Sequence, residues 1–314
     1  MDVTKTQCQQ DSRTDVVTIA AISVVTLFLE SVSHHGFGHG GAFLVMGARL
    51  KRLNSLLVSA DATGLAPWQG RVVFAAGSGA DMIITLTCLG LLRSGVTLGP
   101  HARYFLWLAM VMGFLLPAAY LLLTWFPVGD WYTVTSGLWQ EPAWRFLLTI
   151  AGAGMYALGM RLAVREIEPF LSSNLQERRS DARLLSLVPY LTIGTVNTLA
   201  PLVGRAGTIF IVFGLFFFIG LAGFCFIHQS VGEQPSSNNT PEALPLRRNI
   251  IWIVVGAVAL VDFPWSTWSR HRLQPLASEK FRQTRARRIF RLGKSVTPHL
   301  RPSRLKPARS WLDL

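Results

Sequence analysis

Apolar residues in this chain are gathered into seven runs, and that grouping limits the fold more than any other feature. The runs cover about residues 16–34, 71–92, 104–126, 145–164, 186–204, 206–228 and 249–266. A helix needs about 20 predominantly apolar residues to cross a bilayer, and most of these runs approach or reach that length. In lipid every backbone polar group must be bonded by protein, so such runs fold as helices. The expected architecture is all-α, a polytopic transmembrane helical bundle with six or seven spans. The number turns on the fifth run, which Gly194, Asn197 and Pro201 interrupt. Trp107, Trp125, Trp131, Trp144 and Trp252 lie near run ends, where an interfacial aromatic belt places them.

Charge supports the same reading. Only 15% of the 314 residues are charged, against about 25% in an ordinary soluble domain. The net charge of +13 is concentrated at one end. Residues 267–314 carry 13 Lys and Arg against Glu279 and Asp313, or +11, which leaves +2 for the remainder. A basic tail of this kind suits an anionic lipid surface, and no nucleic-acid partner is expected. Three segments follow: a polar N-terminal stretch (1–15), a transmembrane domain (16–266) and a basic, disordered tail (267–314). Residues 229–248 form a polar linker. Cys8, Cys88 and Cys225 are too dispersed for a disulfide framework or a C-x-x-C metal knuckle. We expect an integral protein of a bacterial-type inner (plasma) membrane, with the first run retained as an anchor.

The segment from Gly36 to Ala48 is apolar but too short to cross alone. It either extends the first helix or turns back as a re-entrant piece. Arg49 to Ser59 reads as a short amphipathic or strand-like stretch. The loop after the fourth run carries Arg161, Arg165, Arg178, Arg179 and Arg183, which places it in the cytoplasm.

Chemistry is concentrated where the first run ends, in Glu30-Ser-Val-Ser-His34-His35-Gly36-Phe37-Gly38-His39. Ionisable residues at membrane depth are costly and mark functional sites. His35 and His39 are four apart, so on an α-helix they share a face, the spacing with which H-E-x-x-H presents two ligands to zinc. The first and third helices run in the same direction if one span separates them. Their ends then meet the same membrane face, which brings Asp130, in Pro127-Val128-Gly129-Asp130-Trp131, to the histidines. Two histidines, an aspartate and water make an open tetrahedral zinc site. On the second run, Ala75-Ala76-Gly77-Ser78-Gly79-Ala80 allows close helix packing. Asp81 follows near mid-bilayer and should face the bundle interior, where it and His34 would support the ligands.

These residues resemble a family. His35-Gly36-Phe37-Gly38-His39-Gly40 is similar to the H-E-x-G-H-A segment of membrane-embedded, site-2-type (M50-like) zinc metalloproteases. Ala76-Gly77-Ser78-Gly79-Ala80-Asp81 is similar to the A-G-P-x-A-N segment of that family's next helix, and Gly129-Asp130 falls where it carries an Asp-Gly third ligand. The resemblance covers about residues 16–132. It implies Zn2+ held by His35, His39 and Asp130, and transmembrane peptide substrates cut within the bilayer. Gly36 stands where the general base belongs, and no Asn-Pro-x-x-Asp motif precedes Asp130. Glu30 could stand in only if the helix bends, because in a straight helix it points away from His39. The expected member is therefore degenerate, binding metal with weak or absent peptidase activity. A secondary transporter, suggested by Glu30, Asp81 and the broken fifth run, and a non-catalytic membrane scaffold are the competing readings.

Overall fold

The computed structural model describes residues 14–54, 57–203, 208–232, 243–265 and 268–269. The basic tail beyond residue 269 lies outside the described residues.

Helix α1 (Val16–Ser31) starts where the Asp15 carboxylate caps it, accepting from the Thr18 amide at 2.9 Å. It runs without a break into a π-helical segment, Val32–Gly40, and then into α2 (Gly41–Val45). Of the Gly36–Ala48 segment, Gly36–Val45 thus prolongs the first helix rather than turning back. A hairpin follows, β1 (Arg49–Leu53) against β2 (Val58–Asp61), antiparallel with an irregularity between Leu50 and Arg52. A two-residue strand, β3 (Trp268–Ser269), pairs with the other edge of β1.

Helix α3 (Pro67–Arg93) opens on a proline, whose missing N–H costs nothing at a helix start. Helix α4 (Pro100–Leu122) begins the same way and is the centre of the bundle. Trp107, Leu108, Met110, Met112 and Leu115 on it are fully enclosed. Two of its buried aromatic residues have their polar tips satisfied: Tyr104 Oη donates to the Leu185 carbonyl at 2.8 Å, and Trp107 Nε1 donates to that of Ala163 at 2.9 Å. After the short α5 (Asp130–Thr135) come α6 (Glu141–Glu166), α7 (Leu175–Val203), α8 (Thr208–Gly220), α9 (Phe224–Ser230) and α10 (Ile250–Trp265).

Among the described residues, six helical stretches are long and apolar enough to cross a membrane: Val16–Val45, Pro67–Arg93, Pro100–Trp125, Glu141–Phe170, Gln176–Leu202 and Ile211–Ser230. The interrupted fifth run is one continuous helix despite Pro189 and Pro201, as neighbouring helices in a bundle allow. The seventh, α10, has 16 residues, roughly 24 Å of helix against a hydrocarbon core of about 30 Å. It lies along α1, where Gly256 comes so near Ala21 that a Cβ would sit 2.8 Å from it.

Large apolar side chains face outward along these helices, among them Phe146, Leu147, Ile150 and Leu158 on α6. That is the surface expected when the solvent is lipid. Two charges that enter the bundle are paired. Arg93 at the end of α3 meets Glu166 at 2.8 Å, and the enclosed Arg178 meets Glu168 at 2.5 Å. The Arg178 Nε also donates to the Gly232 carbonyl at 3.1 Å.

Candidate metal centre

The site is built around the π-helical segment. An α-helix returns to the same face after 3.6 residues, whereas π-helical bonding joins residues five apart, and such widened turns are frequent at functional sites. Histidines 34 and 39 are five apart. In this segment both are buried and point the same way, toward α3 and α5. Glycines 36, 38, 40 and 41 make the widened turn inexpensive, since no side chains crowd it. At Gly38 the close approach is obligatory, because a Cβ would fall 2.6 Å from the Gly77 Cα and 2.8 Å from the Ala76 carbonyl. Gly77 is equally constrained. A Cβ there would meet His34 Cε1, His39 Cε1 and His39 Nε2, each at 2.7 Å. The small-residue stretch of α3 is thus the floor on which both imidazoles lie.

Asp130 arrives from the far end of α4. Gly129 just before it has φ +80°, a left-handed conformation open to glycine, and this turn starts α5 with Asp130 as its first residue. Trp131 Nε1 then donates to Ser78 Oγ at 3.1 Å and ties α5 to α3. The result is a triangle of donor atoms. His34 Nε2 and His39 Nε2 are 3.1 Å apart, and Asp130 Oδ2 lies 3.2 Å from the first and 3.4 Å from the second. Burial by itself would raise the Asp130 carboxyl. The His39 and His34 rings outweigh that effect and hold it well below the usual carboxylate range.

The hydrogen bonds on the other side of each ring fix which nitrogen holds the proton. His39 Nδ1 faces the Val73 carbonyl at 2.8 Å, and a carbonyl only accepts, so Nδ1–H donates. His34 Nδ1 faces Asp81 Oδ2 at 2.7 Å and donates to that carboxylate. With Nδ1 protonated, the neutral ring leaves its Nε2 lone pair free. In that form two imidazole lone pairs and a carboxylate oxygen converge, an arrangement that either a proton shared among them or a metal ion satisfies. A tetrahedral zinc site with ligands at about 2.0–2.1 Å has ligand–ligand edges of about 3.3 Å, and edges of 3.1, 3.2 and 3.4 Å fit that shape. The supporting bonds from Asp81 and Val73 are of the kind that orient metal-bound histidines.

From sequence, His35 rather than His34 pairs with His39. The structure brings His34 into contact with His39 and Asp130, and sets His35 beside them. One nitrogen from each of the three histidines lies within 4.8 Å of the others, so the three can hold a metal ion together. The His35 ring is half-buried, with its centre 4.9 Å from that of His34 and 5.8 Å from that of His39. Glu30 is four residues before His34, one α-helical turn back. It forms a second close group with His34 and Asp81, also within 4.8 Å and also able to hold a metal.

All these groups except Asp81 border one cavity of about 260 Å³. Tyr120 on α4 closes one side, its ring stacked on His34 with centres 5.8 Å apart. The cavity continues past Val58–Ala60 of β2 to Asn197 on α7 and Phe213 and Phe217 on α8. Tyr120, Asn197 and the two phenylalanines carry no local motif, and sequence reasoning did not assign them to the site. For His34 a signal was present, the five-residue spacing to His39 within a run of alternating glycines.

No protein family's sequence profile matches the chain, and no curated protein or solved structure matches it. What is shown is a polytopic helical membrane protein with a buried cluster of histidines and carboxylates able to hold a metal ion.

Proposed function

We propose that this is a membrane-embedded zinc protein of the site-2-type metalloprotease kind, with weak or absent peptidase activity. One observation carries the reading: His34 Nε2, His39 Nε2 and Asp130 Oδ2 meet at zinc-ligand separations. On this reading those three residues are the ligands. Asp81 and the Val73 carbonyl hold the rings in the ligating tautomer, and His35 borders the fourth position on the cavity side. Zinc bound by three protein groups supplies a Lewis acid with one open coordination position.

The residues around that position support hydrolysis poorly. His35 follows the first ligand directly, where the H-E-x-x-H motif has its glutamate. The carboxylate that borders the cavity without a place in the triangle is Glu30. We assign to Glu30 whatever proton abstraction from water the site performs. The cavity lining of Phe43, Phe74, Phe213 and Phe217 suits an apolar stretch of a transmembrane peptide.

The test is metal analysis of the purified full-length protein, paired with cleavage of model transmembrane peptides. About one zinc per chain with slow cleavage, or none, supports the reading. Absence of stoichiometric zinc removes it. Cleavage that survives Glu30→Gln unchanged removes Glu30 as the base.

A further inference from the structure

Behind the histidines lies a second, smaller cavity. Its volume is about 10 Å³, and Thr26, Glu30 and Ser33 of the first helix, Asp81 and Ile84 of α3, and Ala109 and Gly113 of α4 enclose it. A space of that size holds one water-sized species. Asp81 is 2% exposed and uses Oδ2 for His34, while its Oδ1 has no hydrogen-bond partner among the described residues. An unpaired carboxylate oxygen deep in a bundle is costly. Glu30 brings a second carboxyl group to within 4.8 Å, so the cavity gathers oxygen donors that the zinc triangle does not use.

We propose that this inner cavity is a sodium site, with Asp81 Oδ1, the Glu30 carboxylate and the Ser33 and Thr26 hydroxyls as its oxygen ligands. The donor set decides the ion. Carboxylate and hydroxyl oxygens without nitrogen or sulfur favour hard cations over zinc. Calcium takes six to eight oxygens, and magnesium retains several waters. Neither demand fits a space for one small species and four side-chain oxygens. Hard-cation distances of about 2.3–2.6 Å let two ligands of one ion stand up to about 5 Å apart, and Glu30 and Asp81 fall within that span. The Thr26 hydroxyl donates to the Ile22 carbonyl at 2.8 Å, which leaves its lone pairs for an ion. Because Asp81 also supports His34, sodium would reach the zinc triangle through a single carboxylate. Sodium would also hold Glu30 in the inner cavity, away from the larger one. The sodium site stands on its own residues and does not need zinc to be present.

The experiment uses the full-length protein in detergent. Its Tm is followed as NaCl replaces choline chloride or KCl at constant ionic strength, and ²²Na binding is measured directly on the same preparation. The expected result is a saturable, sodium-specific rise of about 3–5 °C together with bound ²²Na. Both should be lost in Ser33→Ala and Glu30→Gln and retained in His39→Ala, which disrupts the zinc triangle alone. No bound ²²Na and equal Tm in the three salts would overturn the proposal and leave a water in the cavity. Sodium binding that survives Ser33→Ala and Glu30→Gln would also overturn it. Zinc content measured on the same samples reports separately on the metal triangle.

Discussion

Gly77 of α3 and His39 of the π-helical segment are packed so closely that a single methyl group on Gly77 would lie 2.7 Å from the His39 Nε2. His34 is held against the same backbone. The position of both imidazoles therefore depends on a residue with no chemistry of its own. Gly77→Ala should push the rings off the triangle and cost about 1–3 kcal/mol of stability, as overpacking does. Metal content and thermal unfolding of that variant check this. Full zinc occupancy in it would show that the rings are free to move.

Asp81 should matter to the metal without touching it. Replacing it with Asn removes the charge that orients His34, and loss of such a supporting group typically lowers metal affinity by about 10–100-fold. Competition with a calibrated zinc chelator measures the change. An unaltered affinity would mean that His34 keeps its orientation without Asp81.

The widened turn between His34 and His39 can be tested by register. Deleting Gly36 puts the two histidines four apart, where an ordinary α-helix keeps them on one face. Inserting one alanine after Gly36 places them six apart, where neither helix type does. The deletion should retain bound zinc and the insertion should lose it, read by metal analysis of both proteins.

Far from the site, Arg178 is enclosed and paired with Glu168. Breaking a buried pair by removing one partner costs about 3–5 kcal/mol, because the other charge is left uncompensated. Glu168 is partly exposed at 24%, so water can relieve it and the lower end of that range applies. Arg178→Ala should lower Tm clearly, and Arg93→Ala should lower it as well, because the carboxylate it leaves behind, Glu166, is only 10% exposed.

The spans were legible because the bilayer fixes their length and composition. Six of the seven runs correspond to helices long enough to cross. The fifth run shows why local breakers mislead in membranes, since Pro189 and Pro201 sit within one continuous helix. The meeting of Asp130 with the histidines follows from helix parity alone, which needs only the number of spans between them. The contact between His34 and His39 was not legible in the same way. Spacing arguments assume 3.6 residues per turn, and that assumption pairs His35 with His39. The π-helical turn brings His34 to His39 as well, and it packs against α3 in contacts that no local pattern reveals. Asn197, Phe213 and Phe217 reach the cavity only through the packing of α7 and α8, 67 to 87 residues along the chain from Asp130.

The most direct measurement is zinc stoichiometry in three purified variants, His34→Ala, His35→Ala and His39→Ala, beside the unaltered protein. The triangle of His34, His39 and Asp130 calls for about one zinc per chain in the unaltered protein. Zinc should be lost in His34→Ala and His39→Ala and retained in His35→Ala. Retention in His34→Ala with loss in His35→Ala would contradict the assignment, and a protein without zinc in every form would contradict the metal centre itself.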